Sequence, residues 1–173
     1  MNPLRGQVVA AQVNCARLFI NRERSEFMRK RAGIILIEDG KLALIERHKQ
    51  GRHYFAFPGG GVDEGETDEE AAVREAEEEL GIRVEILHKA AEVHRLNKCD
   101  QVYFRVKRVG GEFGTGAGEE YGEPNPEHGT YQPMWMPIEE ISHNNVVPPG
   151  LAEFVVRSCK EGWKAETEIV FER

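Results

Sequence analysis

Short apolar runs separated by polar turns predict a series of strands along the chain. Residues 32–37 (AGIILI) are typical of a strand that is buried on both faces. Asp39 and Gly40 follow and favour the tight turn of a hairpin, because both residue types tolerate a positive φ. Residues 42–47 return as the partner strand, and a polar loop is predicted over 48–53. Further strands are predicted over 54–57, 82–92, 102–106, 135–136 and 168–171.

Two helices are predicted between these strands. The first spans 68–80, because Thr67 is a good N-cap, Glu70 completes a capping box and Gly81 suits a left-handed end. The second begins at Pro149 and repeats apolar residues at helical spacing, which indicates a face packed on the core. Residues 110–130 contain seven glycines and two prolines. This composition predicts a long, mobile loop that builds no core of its own.

Length and charge limit the classes of protein that the chain can represent. A length of 173 residues fits one domain, in which residues 1–30 form an N-terminal extension. The net charge of −7 argues against a nucleic-acid partner bound through its phosphates. The three scattered cysteines have no zinc-site spacing and favour reduced thiols in a cytoplasmic protein. The apolar stretch at 8–13 is too short to span a membrane, so no membrane partner is expected.

The acidic residues are concentrated in the first predicted helix and the turn before it. Ten of the 30 acidic residues lie between Asp63 and Glu79, and Arg74 is the one basic residue among them. On a helical wheel, Glu75, Glu78 and Glu79 share an arc of about 100°. The apolar stripe beside them, which can pack on a sheet, consists of Ala72, Ala76 and Leu80.

Three carboxylates on one helix face, next to the glycine bend at 59–61, suit a hard divalent cation such as Mg²⁺. A free backbone carbonyl of the bend could complete the ligand set, and Arg74 could orient a neighbouring carboxylate. A solvated acidic helix is the alternative interpretation. Against it, like charges at i, i+3 and i+4 cost stability unless a cation compensates them. The bend matches neither a Walker A loop nor an EF-hand loop.

The spacing of these residues resembles the signature of the Nudix (MutT-like) hydrolase family. That signature reads Gly, five residues, Glu, seven residues, then Arg-Glu-apolar-x-Glu-Glu-x-Gly-apolar. Ala76 fills an apolar position with a smaller side chain than usual. The positions that match it are Gly60, Glu66, Arg74, Glu75, Glu78, Glu79, Gly81 and Ile82.

The resemblance implies an α/β fold, an α/β/α sandwich with a mixed central sheet. It implies an enzyme that hydrolyses the diphosphate bond of a nucleoside diphosphate linked to another group, with Mg²⁺ or Mn²⁺ as cofactor. In the implied site, Glu75, Glu78 and Glu79 bind metal with the Gly59 carbonyl. Glu66 stabilises the loop or a metal-bound water, and Arg74 positions Glu75. The general base is a signature glutamate or a glutamate of the glycine-rich loop, where the candidates are Glu119, Glu120, Glu123 and Glu127 and Glu120 is preferred.

Substrate choice depends mostly on residues outside the signature. Arg47, Arg52 and Phe55 could contact phosphates or a base, and the alternative is that they are solvated charges and sheet core. The resemblance implies a small-molecule nucleotide substrate, either a nucleoside triphosphate or a nucleotide sugar, and it leaves a homodimer possible. The rival hypothesis is a Nudix-fold module that binds a nucleotide without cleaving it. Such modules usually lose signature glutamates, and all of them are present here.

Overall fold

The computed structural model describes residues 30–95, 98–117 and 129–172. Almost all of the predicted N-terminal extension therefore lies outside the described residues. In the described part, nine strands and two α-helices follow one another along the chain. The elements are β1 (Arg31–Glu38), β2 (Lys41–Lys49), β3 (Arg52–Ala56), β4 (Gly59–Gly61), α1 (Asp68–Leu80), β5 (Ile82–Arg95), β6 (Lys98–Gly111), β7 (Thr130–Pro137), a 3₁₀ helix (Ile138–His143), β8 (Val146–Val147), α2 (Pro149–Glu161) and β9 (Glu168–Glu172).

The strands form one mixed sheet that splits along β1. The order is β8-β3-β2-β1-β6-β5-β9, and β7 pairs with β2. β2 pairs with β1 only beside the hairpin turn, through Ile37–Leu42 and Glu38–Lys41. At the other end of β1, residues 31–33 pair with β4 instead. The end of β2 therefore diverges from β1, and the glycine bend at 59–61 pairs with the part of β1 that β2 leaves.

A hydrophobic core lies on each face of the sheet, because side chains alternate along the buried strands. In β1, Ile35 packs into the core beneath α2, whereas Ile34 and Leu36 pack into the core beneath α1. Helix α1 contributes small residues, Ala72 and Ala76, which are fully buried and let the helix lie close to the sheet. The predicted α/β/α sandwich is confirmed.

Two predicted loops differ from the structure. The predicted loop at 48–53 is wrong, because β2 continues to Lys49 and β3 begins at Arg52. The turn between them is two residues long, and Gln50 and Gly51 both have positive φ, as a tight hairpin turn requires. The predicted loop at 110–130 is shorter than expected, since β6 runs to Gly111 and β7 begins at Thr130.

The described start of that glycine-rich segment also has a place in the core, contrary to the prediction. Phe113 stacks on Trp135 with ring centroids 4.5 Å apart, and both pack against the core beneath α1. The overall composition of the segment did not predict this contact. A single aromatic residue among many glycines hardly changes the composition, yet it is enough to anchor the segment to the core. Among the described helices, none has the length and apolar character needed to cross a membrane.

Candidate active site

The glycine bend and the helix α1 are held together by local chain geometry. Gly59 has φ of 150°, and a Cβ there would overlap the backbone of Ala32 and Gly33 in β1. Only glycine therefore permits the close pairing of β4 with β1. Helix α1 then begins with the predicted capping box, in which Thr67 Oγ1 accepts from the Glu70 amide at 3.1 Å.

Two signature carboxylates are buried against the bend. Glu75 and Glu79 are each only 6% exposed. Glu79 Oε2 accepts a hydrogen bond from the Gly59 amide at 2.7 Å. The Glu75 carboxylate lies so close to Gly60 that any Cβ at that position would overlap it. The glycine in the signature therefore makes room for the carboxylate, in addition to shaping the bend.

Arg74 joins three carboxylates to the bend. Its Nε and Nη2 donate to Glu66 at 2.9 Å each, and Nη2 also donates to the Gly61 carbonyl at 3.0 Å. Its Nη1 donates to both Glu75, at 2.8 Å, and Glu78, at 3.0 Å. These bonds, above all those to Glu66, raise the pKa of the Arg74 guanidinium further above its ordinary value. Arg74 therefore carries its charge at every accessible pH and holds the glutamates in place.

Glu78 faces an open cleft. Its side chain is 43% exposed, unlike those of Glu75 and Glu79. The cleft has a volume of about 390 Å³ and is lined by Arg74, Glu77, Glu78, Gly81, Thr115 and Ala117. The wall formed by 115–117 is packed on the end of α1, since the Gly114 amide donates to the Leu80 carbonyl at 2.9 Å. A ligand in the cleft would thus reach the exposed edge of the carboxylate group.

The structure brings together Glu66, Arg74, Glu75, Glu78 and Glu79, as the signature implies. The Gly59 carbonyl, the further ligand that the resemblance implies, accepts a hydrogen bond from Arg31 Nη2 at 2.5 Å. A carbonyl oxygen has a second lone pair, so the ligand role of Gly59 stays a prediction. Sequence reasoning missed Arg31, because a contact between β1 and the bend depends on strand pairing.

The general-base candidates lie outside the described residues. They are Glu119, Glu120, Glu123 and Glu127. The preference for Glu120 therefore stays a prediction.

The predicted substrate-binding residues have different environments. Phe55 is 7% exposed and belongs to the core beneath α2, which is the alternative interpretation given for it above. Arg47 lies with its guanidinium carbon 3.3 Å from the centroid of the Tyr131 ring, in cation–π contact. Arg52 lies 5.5 Å from the Tyr54 ring. Tyr131 was missed by sequence reasoning, because its contact with Arg47 depends on the pairing of β7 with β2.

Arg47 lies at the same end of the sheet as the glycine bend. Leu42 of β2 pairs with Ile37 of β1. Arg47 lies five residues after Leu42 and Ala32 lies five residues before Ile37, so Arg47 and Ala32 are equally far from the hairpin turn. Ala32 pairs with Gly60 of the bend. Arg47 shares its strand face with Ala43 and Ile45, which belong to the core beneath α1. The Arg47–Tyr131 pair therefore flanks the divergence between β1 and β2, on the same face as α1.

The donor set fits a hard divalent cation. Four carboxylates meet at the bend, and the described contacts place two guanidiniums beside them, those of Arg74 and Arg31. The four negative charges thus exceed the two positive charges of the guanidiniums, and oxygen ligands are those that Mg²⁺ and Mn²⁺ prefer. Both the charge and the chemistry of the site suit Mg²⁺ or Mn²⁺.

Comparison with known proteins adds sequence relatives. A family model described as NUDIX domain matches residues 28–157. An RNA pyrophosphohydrolase of Shewanella baltica is 45% identical over 65 residues, which are 37% of this chain and 36% of that protein. An RNA pyrophosphohydrolase of Aeromonas hydrophila is 43% identical over 58 residues, which are 33% of this chain and 32% of that protein. The matched segment thus spans about a third of the length of these curated relatives.

Comparison with solved structures shows the same fold over most of the chain. A NUDIX hydrolase from Nitrosomonas europaea has a TM-score of 0.61 at 24% identity, covering 83% of this chain and 79% of its own. A UDP-X diphosphatase has a TM-score of 0.59 at 17% identity, with coverage of 86% and 74%. An ADP-ribose pyrophosphatase from Streptococcus suis has a TM-score of 0.57 at 16% identity, with coverage of 82% and 98%. At these identities the likeness concerns the fold alone.

Proposed function

This chain belongs to the NUDIX domain family, and we propose that it is a metal-dependent pyrophosphohydrolase. The observation that carries the proposal is the burial of Glu75 and Glu79 against the glycine bend, with Arg74 linking Glu75 to Glu66 and Glu78. A solvated acidic helix would instead leave its glutamates in water, where the repulsion between like charges is weakest. Four carboxylates held together at one bend carry more negative charge than the guanidiniums of Arg74 and Arg31 neutralise. This excess is costly without a further cation, so it supports a cation-binding role.

In this proposal, Glu75, Glu78 and Glu79 hold Mg²⁺ or Mn²⁺ at the bend, with the Gly59 carbonyl as a further ligand. The bound ions would neutralise charge on the phosphoryl oxygens and lower the pKa of a water molecule. Phosphoryl transfer depends mainly on such positioning and charge neutralisation.

The protein's own groups orient that site. Arg74 keeps the Glu75 and Glu78 carboxylates side by side, because both accept from the same nitrogen. Glu66 fixes the loop between the bend and α1, since it accepts from the Asp63 amide at 3.0 Å as well as from Arg74. Glu79 ties the end of α1 to the bend through the Gly59 amide. Glu120 is proposed as the general base that takes a proton from the attacking water.

We infer that the substrate is a nucleoside diphosphate linked to another group, such as a nucleoside triphosphate or a nucleotide sugar. The anionic α1 cannot attract a pyrophosphate by itself, so the bound metal ions must bridge the two, and further cations would strengthen the binding. Arg47 and Arg52 are proposed for that role, and their neighbours Tyr131 and Tyr54 offer ring faces for a base. The relatives named as RNA pyrophosphohydrolases make a 5′-triphosphorylated RNA end a further substrate to test. A cytoplasmic location is part of the same proposal.

The test is incubation with Mg²⁺ and a substrate panel, followed by identification of the products. The panel contains nucleoside triphosphates, ADP-ribose, UDP-sugars and a short 5′-triphosphorylated RNA. Release of a nucleoside monophosphate, phosphate or pyrophosphate is the expected result. Tight binding of a panel member without any cleavage would favour the nucleotide-binding module. If the protein neither binds nor cleaves any member of the panel, the proposal is contradicted.

Glu78→Gln separates a metal role from a structural one. Glu78 is the most exposed of the three proposed ligands, so its loss should leave the fold intact. We expect the hydrolysis rate to fall by about 100-fold or more, because loss even of groups that only orient ligands costs roughly 10–100-fold. Glu69→Gln, which removes an exposed charge in the first turn of α1, is the matched control and should keep its rate. Equal rates in the two variants would show that Glu78 is not a ligand.

A further inference from the structure

A second group of potential metal ligands lies on the β2–β3 hairpin, on the opposite face from Arg47. His48 and His53 form a directly opposed cross-strand pair. Glu46 precedes His48 by two residues and therefore projects from the same face. This is the face of Leu44 and Phe55, which pack into the core beneath α2, whereas Arg47 and its aromatic neighbours lie on the face of α1. The register of the hairpin thus brings the three potential ligand side chains together, on the face of the sheet that lies away from the candidate active site.

The ligand atoms of this hairpin cluster lie close enough together to share one metal ion. His53 Nε2 lies 2.8 Å and His48 Nε2 lies 3.5 Å from the same oxygen, Glu46 Oε1. The imidazole rings are stacked with centroids 4.2 Å apart and planes inclined by 5°. One ligand atom from each residue lies within 4.8 Å of the other two. Neighbouring ligands of a tetrahedral Zn²⁺ lie about 3.3 Å apart for metal–nitrogen bonds of about 2.0–2.1 Å.

We propose that Glu46, His48 and His53 form a binding site for Zn²⁺ or a similar transition-metal ion. Two imidazoles and one carboxylate are a donor set that Zn²⁺ accepts, whereas Mg²⁺ prefers the all-oxygen set at the glycine bend. The two histidine side chains are 58% and 49% exposed, which leaves room for a water as fourth ligand. The ion would tie β2 to β3 next to the turn at Gln50 and Gly51 and so stiffen the hairpin that carries Arg47.

A simpler account exists for the same geometry. The His53–Glu46 contact is a satisfactory hydrogen bond without any ion, and stacked imidazoles on paired strands need no metal. The two accounts differ in what Zn²⁺ does to the imidazoles. A metal site requires both rings in their neutral form and both coordinated at once, so both must respond together to a substoichiometric amount of metal.

The test is a Zn²⁺ titration of metal-free protein, followed by calorimetry and by the imidazole signals in NMR spectra. We expect the signals of His48 and His53 to shift first and together, while Mg²⁺ leaves them in place. The His48→Gln/His53→Gln variant should lack one Zn²⁺ site or bind at least about 10-fold more weakly. His143→Gln, which changes an exposed histidine of the 3₁₀ helix, is the control and should bind as the wild type does.

Two outcomes would overturn the proposal. One is a double variant that binds Zn²⁺ with the stoichiometry and affinity of the wild type, which would place the ion elsewhere, for example among the α1 carboxylates. The other is a wild-type titration in which the two imidazole signals stay unchanged, and this result does not depend on whether the variant folds. The titration uses no substrate, so its outcome is separate from that of the hydrolysis assay.

Discussion

Removing the Arg74 charge should destabilise the protein, because it takes the guanidinium away from a buried carboxylate. Arg74→Met keeps much of the aliphatic stem and deletes all five hydrogen bonds from the guanidinium. The Glu75 side chain is 8% exposed, so it loses its ion partner where water reaches it least. Glu78, at 43% exposure, can be solvated instead.

The magnitude follows from these exposures. Breaking a fully buried pair costs about 3–5 kcal/mol, but Arg74 itself is 28% exposed, which reduces the cost of losing Glu75's partner to about 2–3 kcal/mol. The exposed Glu78 contact adds at most about 1 kcal/mol. We therefore expect a loss of about 3 kcal/mol in the free energy of unfolding. For a chain of this length, that corresponds to a fall in Tm of roughly 6–12 °C.

The assay is thermal unfolding at neutral pH in the presence of a chelator, with Arg83→Met as control. Arg83 is exposed at the start of β5, and changes of that kind usually stay within about 0.5 kcal/mol. Added Mg²⁺ should narrow the gap between Arg74→Met and wild type, because a bound cation replaces part of the missing charge. Identical melting of the two variants without metal would refute the argument that Arg74 holds the carboxylates together.

Two further predictions test the bend and the helix start. Gly60→Ala should lose about 1–3 kcal/mol of stability and most hydrolytic activity, because its Cβ overlaps the Glu75 carboxylate; unchanged hydrolysis would show that this packing is not needed. Thr67→Ala should cost about 1 kcal/mol in urea unfolding at neutral pH. The bonds from Thr67 lower the pKa of Glu70 below its ordinary value of 4.5, so their stabilising effect is present above that value and lost as pH falls through the folded pKa. Thr67→Ala keeps the amide donor, which has the largest effect, and removes only the hydroxyl donor to Glu70. Its cost should therefore shrink slightly in acid, and an equal cost at both pH values would show that the hydroxyl bond to the Glu70 carboxylate adds no stability.

Local sequence signals predicted the helix that carries the site almost to the residue. Thr67, Glu70 and Gly81 act on atoms only a few positions away, so their effect depends little on the rest of the fold. The prediction of 68–80 was confirmed for that reason. The β1–β2 hairpin was likewise predicted by Asp39 and Gly40, which have positive φ in the structure.

Predictions that depended on composition alone were less accurate. The polar residues 48–53 suggested a loop, but cross-strand pairing extends both strands to a two-residue turn. Polar residues are acceptable there because one side of the hairpin end faces water. In the glycine-rich segment, Phe113 docks on Trp135, a partner 22 positions away that composition cannot identify.

What the sequence determined by itself was the spacing of Glu66, Arg74, Glu75, Glu78 and Glu79, and hence the one helix face on which the last three lie. Short-range geometry is enough for that, since a helix repeats every 3.6 residues. Which of these carboxylates are buried, and which atoms Arg74 bonds, was decided by the packing of α1 on the glycine bend.

The tertiary structure alone placed Tyr131 on Arg47 and set His48 opposite His53. Both contacts follow from strand register, and a shift of one residue would send every side chain of a strand to the other face. Register is set by the turn and by burial across the whole sheet, so no local pattern in the sequence could have predicted either pair.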